Sequence, residues 1–250
     1  MDKIITRDNL QDPRRYRRRV KSPDLVTFRV AVKETDLLVS AETDLTQEAL
    51  LSVCKYRRQL EEYIERDPEF KWSLSPYPVD SYAPRIVKEM AAAAMRVGVG
   101  PMAAVAGAVA ECVGKDLLRL SPQIVLENGG DIFLVTREKR RISIFTESRS
   151  LPSYIDILIR PEKTPLGICT SSGTEGPSLS FGCADAVIVI SPSAILADAA
   201  ATAAGNLVQS KKDVKKVLNF LQGISQVRGG VVLVDGKMGF WGEIELAESN

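Results

Sequence analysis

Histidine is absent from this 250-residue sequence. That removes Ser-His-Asp and Cys-His catalysis, imidazole metal ligands and the usual neutral-pH general base. Any chemistry must rest on carboxylates, lysines, thiols, hydroxyls, backbone dipoles or a metal. Cysteine is scarce: Cys54, Cys112, Cys169 and Cys183 form no C-x-x-C pair, so zinc-finger spacing is missing too. Free thiols fit a reducing, cytoplasmic setting. Long apolar runs are lacking as well. The longest, Val97 to Ala110, is made mostly of small side chains and falls short of the ~20 residues a membrane helix needs. The start, MDKIITRDNLQDPRR, is polar and has no signal-peptide core. Neither a membrane partner nor secretion is expected.

What remains is an ordinary globular composition, 45% hydrophobic and 26% charged, with a net charge of +1. One asymmetry is hidden in that balance. Lys3, Arg7, Arg14, Arg15, Arg17, Arg18, Arg19 and Lys21 crowd the first 22 residues. The run RRYRRRVK can bind phosphate, but Tyr16 is its only aromatic, so base stacking has little to build on. Residues 1–22 are expected to be a solvated basic arm, with nucleic acid not favoured as a partner. Residues 23–250 are expected to be one domain.

Along that domain, Thr27–Val32 and Asp36–Ala41 alternate as two strands. Asp44 with Gln47 reads as a capping box opening a helix that Asp67-Pro68 ends near Arg66. Residues 68–83 read as an irregular connector. Pro84 suits the start of a second helix, and a small-residue helix follows Gly100. Asn128-Gly129-Gly130 reads as a hairpin turn between strands. The order then repeats: Tyr154–Arg160 and Ala184–Ser191 as strands separated by a Gly/Ser/Thr loop, a helix capped by Ser191, a helix over Val214–Gln222, and a hairpin around Asp235-Gly236. Two ββααββ units, about 24–148 and 152–246, are therefore expected in an α+β fold with sheets backed by helices.

The richest stretch is Gly167–Asn206. Its alanine-dense helix carries one carboxylate, Asp198, with Thr202 four residues later on the same face, so two hard oxygens lie side by side. No lysine or arginine stands three or four residues from Asp198, so local pairing cannot neutralise it. One carboxylate plus a hydroxyl suits magnesium, whose remaining ligands are waters and substrate phosphates. The alternative is a surface salt bridge. The loop CTSSGTEGPS offers glycines and hydroxyls from which an anion-binding nest can be built, although no Gly-Lys-Ser/Thr follows as in a P-loop. Cys169 at its edge is a candidate nucleophile, and also a residue that packs as a small hydrophobe.

Three segments together resemble the ApbE-like superfamily, whose founding members are FAD:protein FMN transferases. These are AAVAGAVAE (103–111), ENGGDIF (127–133), and TSSG (170–173) followed by ISPSAILADAAATA (190–203). The short length looks more like a short branch than the full transferases. The resemblance implies a duplicated T-fold-like ββααββ fold. It also implies magnesium at Asp198 and Thr202, and a nucleotide or FAD beside Asn128, Gly129, Gly130 and Asp131. Thr170, Ser171, Ser172, Gly173 and Thr174 would complete the pocket. Three departures count against the transferase reaction. Ala106 replaces the lysine of the AKG pattern, Gly100 replaces its opening acidic residue, and the histidine of the SHxxDP segment has no counterpart.

Three functional readings follow. The first is an ApbE-like domain that binds a small anionic or nucleotide ligand, such as FAD, with magnesium, and does not flavinylate proteins. The second is a thiol-dependent sulfur-handling protein using Cys169. The third is a non-catalytic binding or assembly module. The alanine-rich helices would also suit a homo-oligomer interface.

Overall fold

The computed structural model describes residues 4–5, 24–145, 154–173 and 182–247. The basic arm therefore lies outside the described residues, apart from Ile4–Ile5. The first unit opens with β1 (Ile4–Ile5), β2 (Val26–Val32) and β3 (Thr35–Ala41). Helices α1 (Thr46–Arg66), α2 (Glu69–Trp72), α3 (Arg85–Val97) and α4 (Val105–Leu117) follow, and the unit closes with β4 (Ile124–Asn128) and β5 (Asp131–Val135). A hairpin of β6 (Arg140–Phe145) and β7 (Tyr154–Ile159) comes next. The second unit is β8 (Leu166–Ser171), β9 (Ala186–Ser191), α5 (Ala194–Asn206), α6 (Val214–Gln222), β10 (Gly229–Val234) and β11 (Lys237–Gly242).

All sheet pairings are antiparallel. The two units join edge to edge into one nine-stranded sheet of order β1-β2-β3-β4-β5-β8-β9-β10-β11. Within each unit the strands run in sequence order, with the helices inserted after the first hairpin; the second unit reads ββααββ, whereas the first adds β1 at the sheet edge and carries four helices, α1 to α4, between its hairpins. The seam is the β5–β8 pairing, from Ile132↔Ile168 to Leu134↔Leu166. Strand alternation divides the core in two. Val39, Leu126, Phe133, Cys169 and Val189 pack under the helices. Ile132, Leu134, Ile168, Ile188 and Leu233 pack under the β6–β7 ribbon.

Residues 68–83, expected to be an irregular connector, contain the short helix α2, and the structure departs from the sequence reading in three further places. First, Tyr154–Ile159 does not pair with the strand ending at Ser191. It pairs with β6, while the segment expected to be a loop supplies β8, whose Gly167–Ser171 pair with β9. Glycine and hydroxyls are tolerated there because β8 is flanked by strands on both sides, and Gly167 lets α5 come close. A Cβ at Gly167 would lie 2.3 Å from Ala194 Cα. Second, the cap of α5 is Ser193, whose side chain accepts the Leu196 N–H, and not Ser191. Third, Asp44 Oδ1 accepts from the N–H and hydroxyl of Thr46 in a short Asx-type turn, so α1 starts without the expected capping box. The stops at Asp67-Pro68 and the Asp235-Gly236 turn are as expected; Asp235 and Gly236 both have positive φ, at 48° and 74°.

Candidate functional site

The candidate site lies on the helix side of the β5–β8 seam. Its first part is the β4–β5 turn, where Gly129 and Gly130 have φ of 68° and 103°, angles that side-chain-bearing residues adopt only with strain. Gly130 N–H donates to Glu127 Oε1 at 2.6 Å. The tight turn leaves Asn128 and Asp131 side by side on the helix face. Asn128 Nδ2 donates to Ala106 O at 3.0 Å, tying the turn to the start of α4. Asp131, one residue beyond the seam's ladder, accepts at Oδ1 the N–H of Thr170, two residues beyond it, at 3.2 Å.

The second part is the crossing of α4 and α5. Asp198 Oδ2 accepts the Gly107 N–H at 2.8 Å, and the Ala106 N–H also favours its charge. The carboxylate thus sits at the N-terminus of α4, where the helix dipole stabilises an anion. Gly107 is required for this approach, since a Cβ there would meet Ala194 O at 2.3 Å and Asp198 Cβ at 2.8 Å. The local pairing partner missing from Asp198's own helix is supplied by the backbone of another.

Electrostatics bind the two parts together. Asp198 is pushed up to about 7 by burial, against the pull of the Gly107 and Ala106 N–H groups. Asp131 is raised well above the usual carboxylate range by burial first and by the charge of Asp198 second. Among the described residues neither has an ion-pair partner. Two buried carboxylates that feel each other resist double ionisation, so the pair favours a shared proton or a bound cation. A divalent ion with oxygen preference meets that demand. Thr202 lies one turn on from Asp198, partly exposed. No three Cys, Asp or Glu groups among the described residues form a metal cage.

Other residues expected in the pocket are distributed differently. Cys169 faces the same layer as Asp131 but is fully buried, and its thiol donates to Ala194 O at 3.3 Å. Burial and the nearby Asp131 and Asp198 charges raise its pKa well above the ordinary thiol value. A thiol held neutral and out of solvent has little nucleophilic character. Thr170 contributes its N–H; alternation along β8 places its side chain with Ile168 on the ribbon side, and its hydroxyl is buried without a partner among the described residues. Ser171 is buried, while Ser172 and Gly173 are partly exposed. Gly173 N–H donates to Ala184 O at 2.9 Å, which ties the residues after β8 to those before β9. Thr174 lies outside the described residues.

Sequence reasoning passed over Gly107 and Glu111. Glu111 is the only charged residue between Val97 and Val113, a signal that could have revealed it. A separate cavity of about 300 Å³ is lined by Leu158, Arg160, Lys163, Arg228, Glu243 and Glu245, away from the carboxylate pair. Its rim charges largely neutralise one another through Arg160–Glu245 and Lys163–Glu243. No single helix among the described residues is long and apolar enough to cross a membrane.

Comparison with known proteins places these features in context. A family model described as "AbpE bacteria" matches residues 17–219. A UPF0280 protein of Methanocella arvoryzae is 38% identical over 220 residues, covering 87% of this chain and 89% of the relative. One from Methanosphaerula palustris is 40% identical over 217 residues, covering 85% and 89%. Among solved structures, the flavin transferase ApbE from Vibrio cholerae aligns with a TM-score of 0.58 at 14% identity, covering 87% of this chain and 96% of that one. The Pseudomonas stutzeri flavinyl transferase ApbE, in apo form, gives 0.55 at 14% identity, covering 87% and 94%. At that identity the structural likeness speaks for the fold alone.

Proposed function

This chain belongs to the ApbE-like family described as AbpE bacteria, and on that premise we propose that it binds a nucleotide or flavin-type ligand together with magnesium at the β5–β8 seam. The observation that carries the reading is the buried Asp131–Asp198 pair, whose combined charge has no cationic side chain opposite it among the described residues. Asp198 and Thr202 would hold the metal, with Asp131 close enough to feel its charge. The metal would supply charge neutralisation for the ligand's phosphates. The turn Asn128–Asp131 and the end of β8 would line the ligand, with Ser171 and Ser172 as its polar contacts.

Protein flavinylation is not the reaction we assign. Ala106 stands where the family pattern has lysine, and the chain has no histidine. The sulfur-handling alternative loses its footing with Cys169, whose thiol is buried and held neutral. A purely assembling module would have no use for a buried carboxylate pair, and this favours the ligand-binding reading. A thermal-shift screen of FAD, FMN and nucleotides, each with and without magnesium, tests it. A ligand at 100 times its dissociation constant adds about 2.7 kcal/mol of stability. Absence of any magnesium-dependent shift across the screen would reject the proposal.

A further inference from the structure

We infer that Glu111 is a positioning residue for the Asp198 carboxylate, acting through the first turn of α5. Its consequence for metal binding rests on the function proposed above; its geometric part does not. Glu111 is 4% exposed. Its Oε2 accepts both the Ser193 hydroxyl at 2.8 Å and the Ile195 N–H at 3.1 Å, while Oε1 pairs with Lys115. The Ser193 hydroxyl in turn accepts the Leu196 N–H at 3.3 Å. One carboxylate on α4 therefore holds both the capping Ser193 and the Ile195 N–H of α5.

Asp198 returns the contact, reaching from α5 to the Gly107 N–H at the start of α4. The two helices thus exchange carboxylates, each anion sitting at the other's N-terminus. On both helices the two contacts are about one turn apart, roughly 5 Å along the axis. Two pins at that spacing fix sliding and rotation together. Between the pins Gly107 lies directly against the Ala194 main chain, a close approach with little side-chain bulk to set the register. A metal ligand must be held to about 0.5 Å, and the Glu111 pin supplies that tolerance for Asp198.

The decisive readout is the Gly107 amide. In the isotopically labelled full chain without metal, Glu111→Ala and Ser193→Ala should shift that resonance and lower its exchange protection about tenfold, leaving the β10–β11 hairpin unchanged. Glu111→Gln, which keeps an acceptor oxygen, should restore most of the effect. Magnesium titrated alone should bind Glu111→Ala about tenfold more weakly than the parent chain, as when supporting groups behind metal ligands are removed. An unchanged Gly107 amide in Glu111→Ala overturns the inference. If that variant does not fold, the same measurement on Ser193→Ala decides it. If the parent chain takes up no magnesium, the proposed function fails, while the Gly107 amide still decides the positioning role.

Discussion

Asp131 Oδ1 accepts the N–H of Thr170 at 3.2 Å, so a side chain stands where the β5–β8 ladder would otherwise have offered a main-chain carbonyl. The substitution ends the seam's pairing without orphaning a buried donor. It also fixes a carboxylate at the seam's end, within electrostatic reach of Asp198. The ladder's termination and the site's charge are therefore one feature.

Asp198→Asn should abolish most of the magnesium dependence of ligand binding while leaving the fold intact. The amide oxygen can still accept the Gly107 N–H, and one buried charge is gone. Thr202→Val should act in the same direction but less, since it removes a neutral ligand. Calorimetric titration with magnesium checks both; unchanged magnesium dependence in Asp198→Asn would make the carboxylate structural.

Stability of the metal-free protein should fall as pH rises. Asp198 has its folded pKa raised to about 7 from 3.8, and Asp131 is raised as well. Between these values the folded state holds more protons than the unfolded chain. The contribution is therefore fully present below about pH 4 and is lost as pH rises through about 7. Urea midpoints at pH 5.5 and 8 should show the loss, and Asp198→Asn should flatten it. A midpoint that rises across this interval in the parent, and equally in the variant, would contradict the shared-proton picture.

Thiol labelling should sort the cysteines by exposure. Cys54 and Cys183 are exposed, whereas Cys112 and Cys169 are buried. Burial pushes the Cys112 thiol up to about 12, and Cys169 is raised too. Iodoacetamide on the native protein should modify Cys54 and Cys183 and spare the other pair until denaturant is added. Rapid native labelling of Cys169, read by mass spectrometry, would revive a thiol-based chemistry.

Gly107→Ala should destabilise the protein by about 1–3 kcal/mol, the range for forcing extra bulk into a packed contact. The new methyl meets the Ala194 carbonyl and Asp198 Cβ, so it separates α4 from α5. Because the same motion carries Asp198 away from the Gly107 N–H, magnesium binding should weaken along with the urea midpoint. Loss of stability with full magnesium affinity would show that the site tolerates a looser crossing.

No FMN should pass from FAD to a threonine-containing acceptor peptide. The lysine position is Ala106, whose carbonyl is already engaged by Asn128, and the chain holds no histidine. Peptide mass after prolonged incubation with magnesium is the measurement, and a gain above the uncatalysed background would refute it.

Local signals made much of the fold legible. Alternation marked β2 and β3, Asp67-Pro68 marked the end of α1, and paired turn glycines marked the β4–β5 hairpin. The strand β8 was hidden because Gly167, Thr170 and Ser171 carry loop chemistry, and only flanking strands make them a ladder. The lone Asp198 could be recognised as needing a partner, since its own helix offers no cation. Which partners it found could not be read. Gly107 and Asp131 lie far from it in sequence, and the meeting depends on how α4, α5 and the seam pack.

The seam belongs to both units. Gly107, Glu111, Asn128 and Asp131 come from the first unit, whereas Thr170, Ser193, Asp198 and Thr202 come from the second. Neither unit owns a complete set, and each supplies what the other lacks. The carboxylates and the N–H groups that hold them meet only where the two units join, so neither half taken alone would present the cleft.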